Sequence, residues 1–144
     1  MPARTVTTLA AAALALATLT AGCSSAQTAP SAASTSLPAC RPPEPATLPD
    51  AAGSLTEADS GAFCLAVGQV LDVFLTAPAN AAAGVRWRQI SVGDTTVVGY
   101  GNSGILTPPV NVTPGVFGAR HPGATTLSSS LPDGTAWKVT IVVK

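Results

Sequence analysis

Short apolar segments alternating at period two, turn residues separating them at close intervals and a tryptophan inside the run predict an all-β chain. About seven such segments in residues 50–144 argue for an immunoglobulin-like β-sandwich, two sheets closed on one core. A signal peptide over residues 1–22 and a flexible Pro/Ala/Ser-rich tether over residues 23–49 are expected before it.

The segments follow in order. Residues 51–62 contain Leu55-Thr56-Glu57-Ala58-Asp59-Ser60-Gly61, which suits a turn or loop ahead of the first strand. Phe63, Leu65 and Val67 alternate with Cys64 and Ala66, and Gly68-Gln69 turns the chain. Leu71, Val73 and Leu75 alternate with Val70, Asp72 and Phe74; the Val and Phe content and Gly68 favour strands here over the competing helix. Ala77 to Gly84 is a loop with Pro78 and Asn80. Val85 to Ile90 is expected as a strand, with Val85, Trp87 and Gln89 on one face and Arg86 and Arg88 on the other. Trp87 is the expected centre of the core, with Trp137 as its second aromatic member. Thr95 to Val98 is another short strand, and Gly99 to Gly104 with Pro108-Pro109 forbids a long regular element. Val112 to Ala119 and Ala124 to Leu131 are strands separated by the His121-Pro122-Gly123 turn. Pro132-Asp133-Gly134 is a strong turn signal. Trp137, Val139, Ile141 and Val143 then form the clearest alternation in the chain.

The N-terminus reads differently. Leu9 to Leu19 is a continuous Ala-rich apolar run, too short to span a bilayer as a helix, which needs roughly 20 residues. Leu19-Thr20-Ala21-Gly22-Cys23 follows and resembles the lipobox of bacterial lipoproteins at Ala21, Gly22 and Cys23, departing from it at Thr20. The resemblance implies cleavage before Cys23, lipidation of Cys23 and anchoring on the extracytoplasmic face of the cell membrane. The alternative is an ordinary secretory signal that leaves Cys23 as a free thiol. Ser24 to Ser36 lacks a hydrophobic period, and Leu37 to Pro49 adds five prolines, an extended and semi-rigid stretch.

Three cysteines are present, Cys23, Cys40 and Cys64. Lipidation of Cys23 would leave an even pair in an oxidising place, so a Cys40–Cys64 disulfide is expected, with two free thiols as the alternative. The full chain has zero formal net charge, and charged residues are 10% of it. The Arg and Lys residues are scattered and form no basic stripe for nucleic acid.

Chemistry-bearing motifs are few. Gly99-Tyr100-Gly101-Asn102-Ser103-Gly104 matches a dinucleotide-binding pattern, but the prolines after it deny the helix that would face a pyrophosphate. Asn111-Val112-Thr113 is a glycosylation sequon by pattern only. His121 is the sole histidine, in a turn, and Asp72, Asp94 and Asp133 are unpaired along the sequence, so neither a metal cluster nor an acid–base pair is predicted. Arg86 and Arg88 read as a solvated sheet face, or as an anion or partner site. No cofactor, metal or enzymatic activity is expected.

Asn80-Ala81-Ala82-Ala83-Gly84-Val85-Arg86-Trp87 has the N-x-x-x-G-x-x-W spacing of chagasin-like inhibitors of cysteine proteases, and the chain resembles that family over about residues 55–144. Val67 to Val73 and Gly115 to Ala119 with Pro122-Gly123 look similar as well. Ala81, Ala82 and Ala83 replace the family's Pro-Thr-Thr, and Leu131-Pro132-Asp133-Gly134 lacks its Arg-Pro-Trp. The chain also resembles small lipid-anchored immunoglobulin-like proteins of high-GC Gram-positive bacteria.

Two readings follow. The first is a lipid-anchored, non-enzymatic binding or structural module that presents its loops away from the anchor to a protein or cell-envelope partner. Asn80, Gly84, Gly101, Asn102, Pro132 and Asp133 are its candidate contact residues. The second is an inhibitor that wedges the same loops into a papain-type cysteine protease. Several acyl chains on one cysteine make a stable anchor, so Cys23→Ala should move the protein from the membrane fraction to the soluble fraction; unchanged membrane association would refute the anchor.

Overall fold

The computed structural model describes residues 36–101 and 107–144; the segment that resembles a lipobox, Cys23 and Asn102 lie outside them. Eight strands form: β1 (Gly53–Thr56), β2 (Gly61–Leu65), β3 (Val70–Thr76), β4 (Ser91–Val92), β5 (Val98–Tyr100), β6 (Val112–Ala119), β7 (Gly123–Ser130) and β8 (Ala136–Val143). They build two four-stranded sheets, in the orders β1-β3-β6-β5 and β2-β8-β7-β4. The protein is an all-β, immunoglobulin-like sandwich. The pairings β1–β3 and β2–β8 are parallel, and the others are antiparallel.

Alternation places one face of each sheet inward. Leu71, Val73 and Leu75 of β3 meet Phe117 of β6 in the first sheet, and Phe63, Leu127, Val139 and Ile141 line the second. Register explains the match. Leu71 pairs with Phe117, and Leu127 with Val139, so apolar partners sit side by side on the inner faces. Trp87 and Trp137 are both buried in this core, 5% and 4% exposed.

Four expectations change. Gly53 to Thr56 is a strand rather than a loop, because its backbone adds to the open edge of β3, with Leu55 fully buried. Val85 to Ile90 forms no ladder. This segment crosses from the first sheet, which it leaves at β3, to the second, which it joins at β4. Trp87 Nε1 donates to Thr76 O at 3.0 Å on one side, and Arg88 N donates to Ser130 O at 2.9 Å on the other. A segment shared between two sheets cannot pair along its length with either. Its inward residues are accordingly Val85, Trp87 and Ile90, while Gln89 is exposed. Thr95 to Val97 is a turn, and β5 starts at Val98. Asp94 Oδ1 accepts from Thr96 N at 2.8 Å and from Thr96 Oγ1 at 2.6 Å, closing that turn.

Residues 40–48 lie on the sandwich. Arg41 bridges to Phe63 in parallel and Glu44 to Ser54 in antiparallel fashion, so this arm passes from the edge of one sheet to the edge of the other. The Arg41 guanidinium stands 4.7 Å from the centroid of the Phe63 ring. Gly53 is required beneath the arm, since a Cβ there would collide with the Pro43 ring. Cys40 and Cys64 are joined by a disulfide, with Cα atoms 5.2 Å apart and a sequence separation of 24.

In the chain-entropy model a loop of this length contributes roughly 3–4 kcal/mol. The double variant Cys40→Ala/Cys64→Ala should lose about that much in urea unfolding, and added reductant should shift the wild-type midpoint but not that of the variant.

Candidate functional site

Strand register brings the candidate loops together. Thr76 at the end of β3 pairs with Val112 at the start of β6, and Ala77 N donates to Asn111 O at 2.9 Å. β5 runs antiparallel to β6, so its last residue, Tyr100, points to the same end. The crossover at Trp87–Arg88 ties this end to Ser130, where the β7–β8 turn begins. The β1–β2 connection arrives here too: Glu57 Oε2 accepts from Thr76 N at 2.9 Å, and Trp137 Nε1 donates to Asp59 O at 3.1 Å. Thr113 Oγ1 donates to Trp87 O at 2.7 Å in a buried setting, which fixes the tryptophan from below. Four connections therefore share one end of the sandwich, each held through a tryptophan or a strand-end carbonyl.

The loop over residues 77–85 is built from two tight turns, Ala81 N to Pro78 O at 2.9 Å and Val85 N to Ala82 O at 3.1 Å. Gly84 adopts φ +82°, a left-handed conformation that favours glycine. The loop carries no charged side chain and bounds, with Val110 and Asn111, a surface hollow of about 320 Å³. Val110 is 69% exposed, the most exposed large apolar side chain among the described residues. Sequence reading passed over Val110 and considered Asn111 only as a sequon. An apolar β-branched residue directly after Pro108-Pro109, where no strand forms, was the available signal.

Asn80 and Gly84 are exposed on this loop, and Pro132 and Asp133 are exposed on the β7–β8 turn. Thr135 N donates to Asp133 Oδ1 at 2.8 Å, and the bonds from Thr135 lower the Asp133 pKa below the ordinary carboxylate value. Gly101 is exposed beside β6, where its N–H donates to Val116 O at 2.7 Å. Thus Asn80, Gly84, Pro132 and Asp133 share the loop end, and Gly101 lies on the strand edge leading to it.

The remaining candidates are dispersed. His121 and Asp94 are at the opposite end, in the β6–β7 and β4–β5 connections. Thr96 hydrogen bonds, side chain first and backbone second, lower the Asp94 pKa. Asp72 is fully buried on the outer side of β3. The three carboxylates do not meet one another or the histidine, and among the described residues no group of three His, Cys, Asp or Glu side chains could hold a metal ion. Arg86 and Arg88 are exposed. Arg88 borders an open hollow with Gln89, Ser91 and Ser128 to Ser130, and Ser129 Oγ donates to Arg88 O at 2.6 Å.

Ala39 and Cys40 meet the domain beside Ser60, Gly61 and Ala62. This is the start of β2, on the loop end. The arm joins the domain at the loop end, while Cys23, from which the loops are expected to face away, lies outside the described residues. The β1–β2 connection delivers the beginning of β2 to the loop end, and the arm joins there.

No protein-family model matches the sequence, and no curated protein matches it. Among solved structures, the cysteine protease inhibitor EhICP2 from Entamoeba histolytica is similar at 16% identity and a TM-score of 0.48, over 63% of this chain and 93% of that one. Amebosin, in a solution structure, is similar at 16% identity and a TM-score of 0.37, over 63% and 96%. The structure of PbICP-C in complex with falcipain-2 gives 16% identity and a TM-score of 0.37, over 69% and 94%.

Nothing lies within 4 Å of a Cβ added at Gly84, so Gly84→Ala isolates the backbone cost of its conformation. The substitution should destabilise the protein by about 1–2 kcal/mol, read as a lower urea midpoint with an unchanged slope.

Proposed function

We propose that the protein is a non-enzymatic binding module that acts through its loop end, held at the extracytoplasmic face of the membrane by lipidated Cys23. The observation that carries this is the joining of the 77–85 loop to the 110–111 turn, above the buried Trp87. Together they offer an uncharged, partly apolar projection, rimmed by the β7–β8 turn with Asp133. Rigidity supports binding. The projection is braced by hydrogen bonds to strand ends, so little ordering cost falls on association.

The partner that suits such a projection is a cleft. A narrow loop whose turns expose backbone groups and small side chains fills a groove better than it covers a flat face. We assign the cleft to a papain-type cysteine protease. The support is the Asn80 to Trp87 spacing, in which Gly84 takes the left-handed turn and Trp87 anchors the loop in the core. The Ala81-Ala82-Ala83 run and the Leu131 to Gly134 turn are where this chain departs from the chagasin-like pattern. Specificity within the protease class would be read there.

An inhibition assay against papain decides the matter. Inhibition with a dissociation constant on the order of 1 μM or tighter is expected, and it should weaken on replacing residues 81–83 by a bulky or charged run. Absence of inhibition at micromolar protein removes the protease assignment and leaves a binding module with another partner.

A further inference from the structure

We infer that the hollow on the outer face of the second sheet is a binding site for a phosphate ester of a small polyol, with Arg88 as its principal counter-charge. Strands β2, β4, β7 and β8 carry no Asp or Glu, and Lys138 is their only charged residue. Alternation turns Leu127, Trp137 and Val139 inward, so Ser128, Ser130 and Lys138 stand on the outer face. The register groups them further. Ser128 pairs with Lys138 on one side and with Ser91 on the other, which sets one cation and two hydroxyls in a row across three strands. Side chains directly opposite in such a ladder have Cβ atoms about 5 Å apart. The crossover supplies the second cation. Arg88 N donates to Ser130 O at 2.9 Å and Ser129 Oγ donates to Arg88 O at 2.6 Å, and these bonds fix the backbone that carries the exposed Arg88.

The hollow measures about 400 Å³ and is lined by Arg88, Gln89, Ser91 and Ser128 to Ser130. Each of these side chains carries an N–H or O–H donor, and none is a carboxylate. Among the described residues the one ion pair joins Arg41 to Asp59, so Arg88 and Lys138 have no carboxylate partner there. The carboxylates that follow β4 and β7, Asp94 and Asp133, are tied back into their own turns by Thr96 and Thr135. A donor-rich, cationic hollow calls for an oxyanion. A phosphate suits it better than a planar carboxylate, because its terminal oxygens accept from several directions while the guanidinium fork holds two of them. The hollow is roomier than a bare phosphate needs, and its serine hydroxyls and Gln89 amide can exchange hydrogen bonds with the hydroxyls of a polyol. The lining offers no apolar side chain to an acyl or aromatic ligand. This site does not rest on the protease assignment.

Backbone amide chemical shifts of the purified full chain test the inference, titrated in parallel with glycerol 3-phosphate, inorganic phosphate, glycerate and glycerol. One low ionic strength is held throughout, where exposed charges are least screened. Saturable shifts centred on Arg88, Gln89, Ser91, Ser128 and Ser130 are expected with glycerol 3-phosphate, at a dissociation constant on the order of 1 mM. The other two anions should bind more weakly, and glycerol should give no response. Arg88→Gln keeps the backbone bonds of the crossover while removing the charge, and should weaken binding roughly tenfold. Lys138→Gln should weaken it about threefold, and carries the test if Arg88→Gln does not fold. Inorganic phosphate binding as tightly as the ester supports the phosphate site and overturns its polyol part. Glycerate binding as tightly overturns the choice of phosphate. The whole assignment is overturned by a response unchanged in the folded variants, or by no saturable shift at all.

Discussion

The two-residue span Trp87-Arg88 holds the loop end to both sheets at once. Trp87 is buried between the sheets, gives its indole N–H to Thr76 O, and receives Thr113 Oγ1 at its own carbonyl. Arg88 gives its N–H to Ser130 and receives Ser129 Oγ. Four groups from β3, β6 and β7 are therefore fixed by two consecutive residues. The large apolar ring provides the driving force through burial. The hydrogen bonds decide where the crossover sits. Losing the ladder over Val85 to Ile90 is the direct consequence, since backbone groups engaged with two sheets cannot pair serially with one.

A second set of constraints closes the outside of the sandwich. Both sheets begin with a strand paired in parallel, β1 on β3 and β2 on β8, and parallel edges expose unpaired backbone groups. The arm answers this with a short bridge to each edge, at Arg41 and at Glu44. A covalent link at Cys40, the Pro43 ring on Gly53 and the Asp72 carboxylate hold it in place. Prolines suit the role because they cannot offer amide donors that would need partners and because their stiffness lowers the entropy lost on docking. The same covering buries Asp72, whose carboxylate holds the arm amides of Thr47 and Leu48.

Much of this was legible in the residues. Strands β3 and β8 follow from the alternation at Leu71, Val73 and Leu75 and at Trp137, Val139, Ile141 and Val143, because burial of one sheet face selects for that period, whereas β6 and β7 follow from the turn signals that bound them. Trp87 and Trp137 as core residues, and Cys40 with Cys64 as partners, followed from residue type and from the even count left once Cys23 is set aside. β1 was not legible. Gly53-Ser54-Leu55-Thr56 has one strong apolar residue, and only the open edge of β3 makes it a strand. The contact between the 77–85 loop and Val110-Asn111 was equally hidden, since it depends on β3 pairing with β6, about forty residues away along the chain.

The sequence by itself determined the fold class, the inward faces of β3 and β8 and the cysteines expected to pair, because these depend on local residue chemistry, period and count. Tertiary structure alone decided which loops share an end, that the arm joins the domain at that end, that Val85 to Ile90 is a crossover, and that Asp72 is buried with one oxygen unmatched. Each of these depends on strands distant in sequence coming side by side, and no local pattern encodes the register in which they meet.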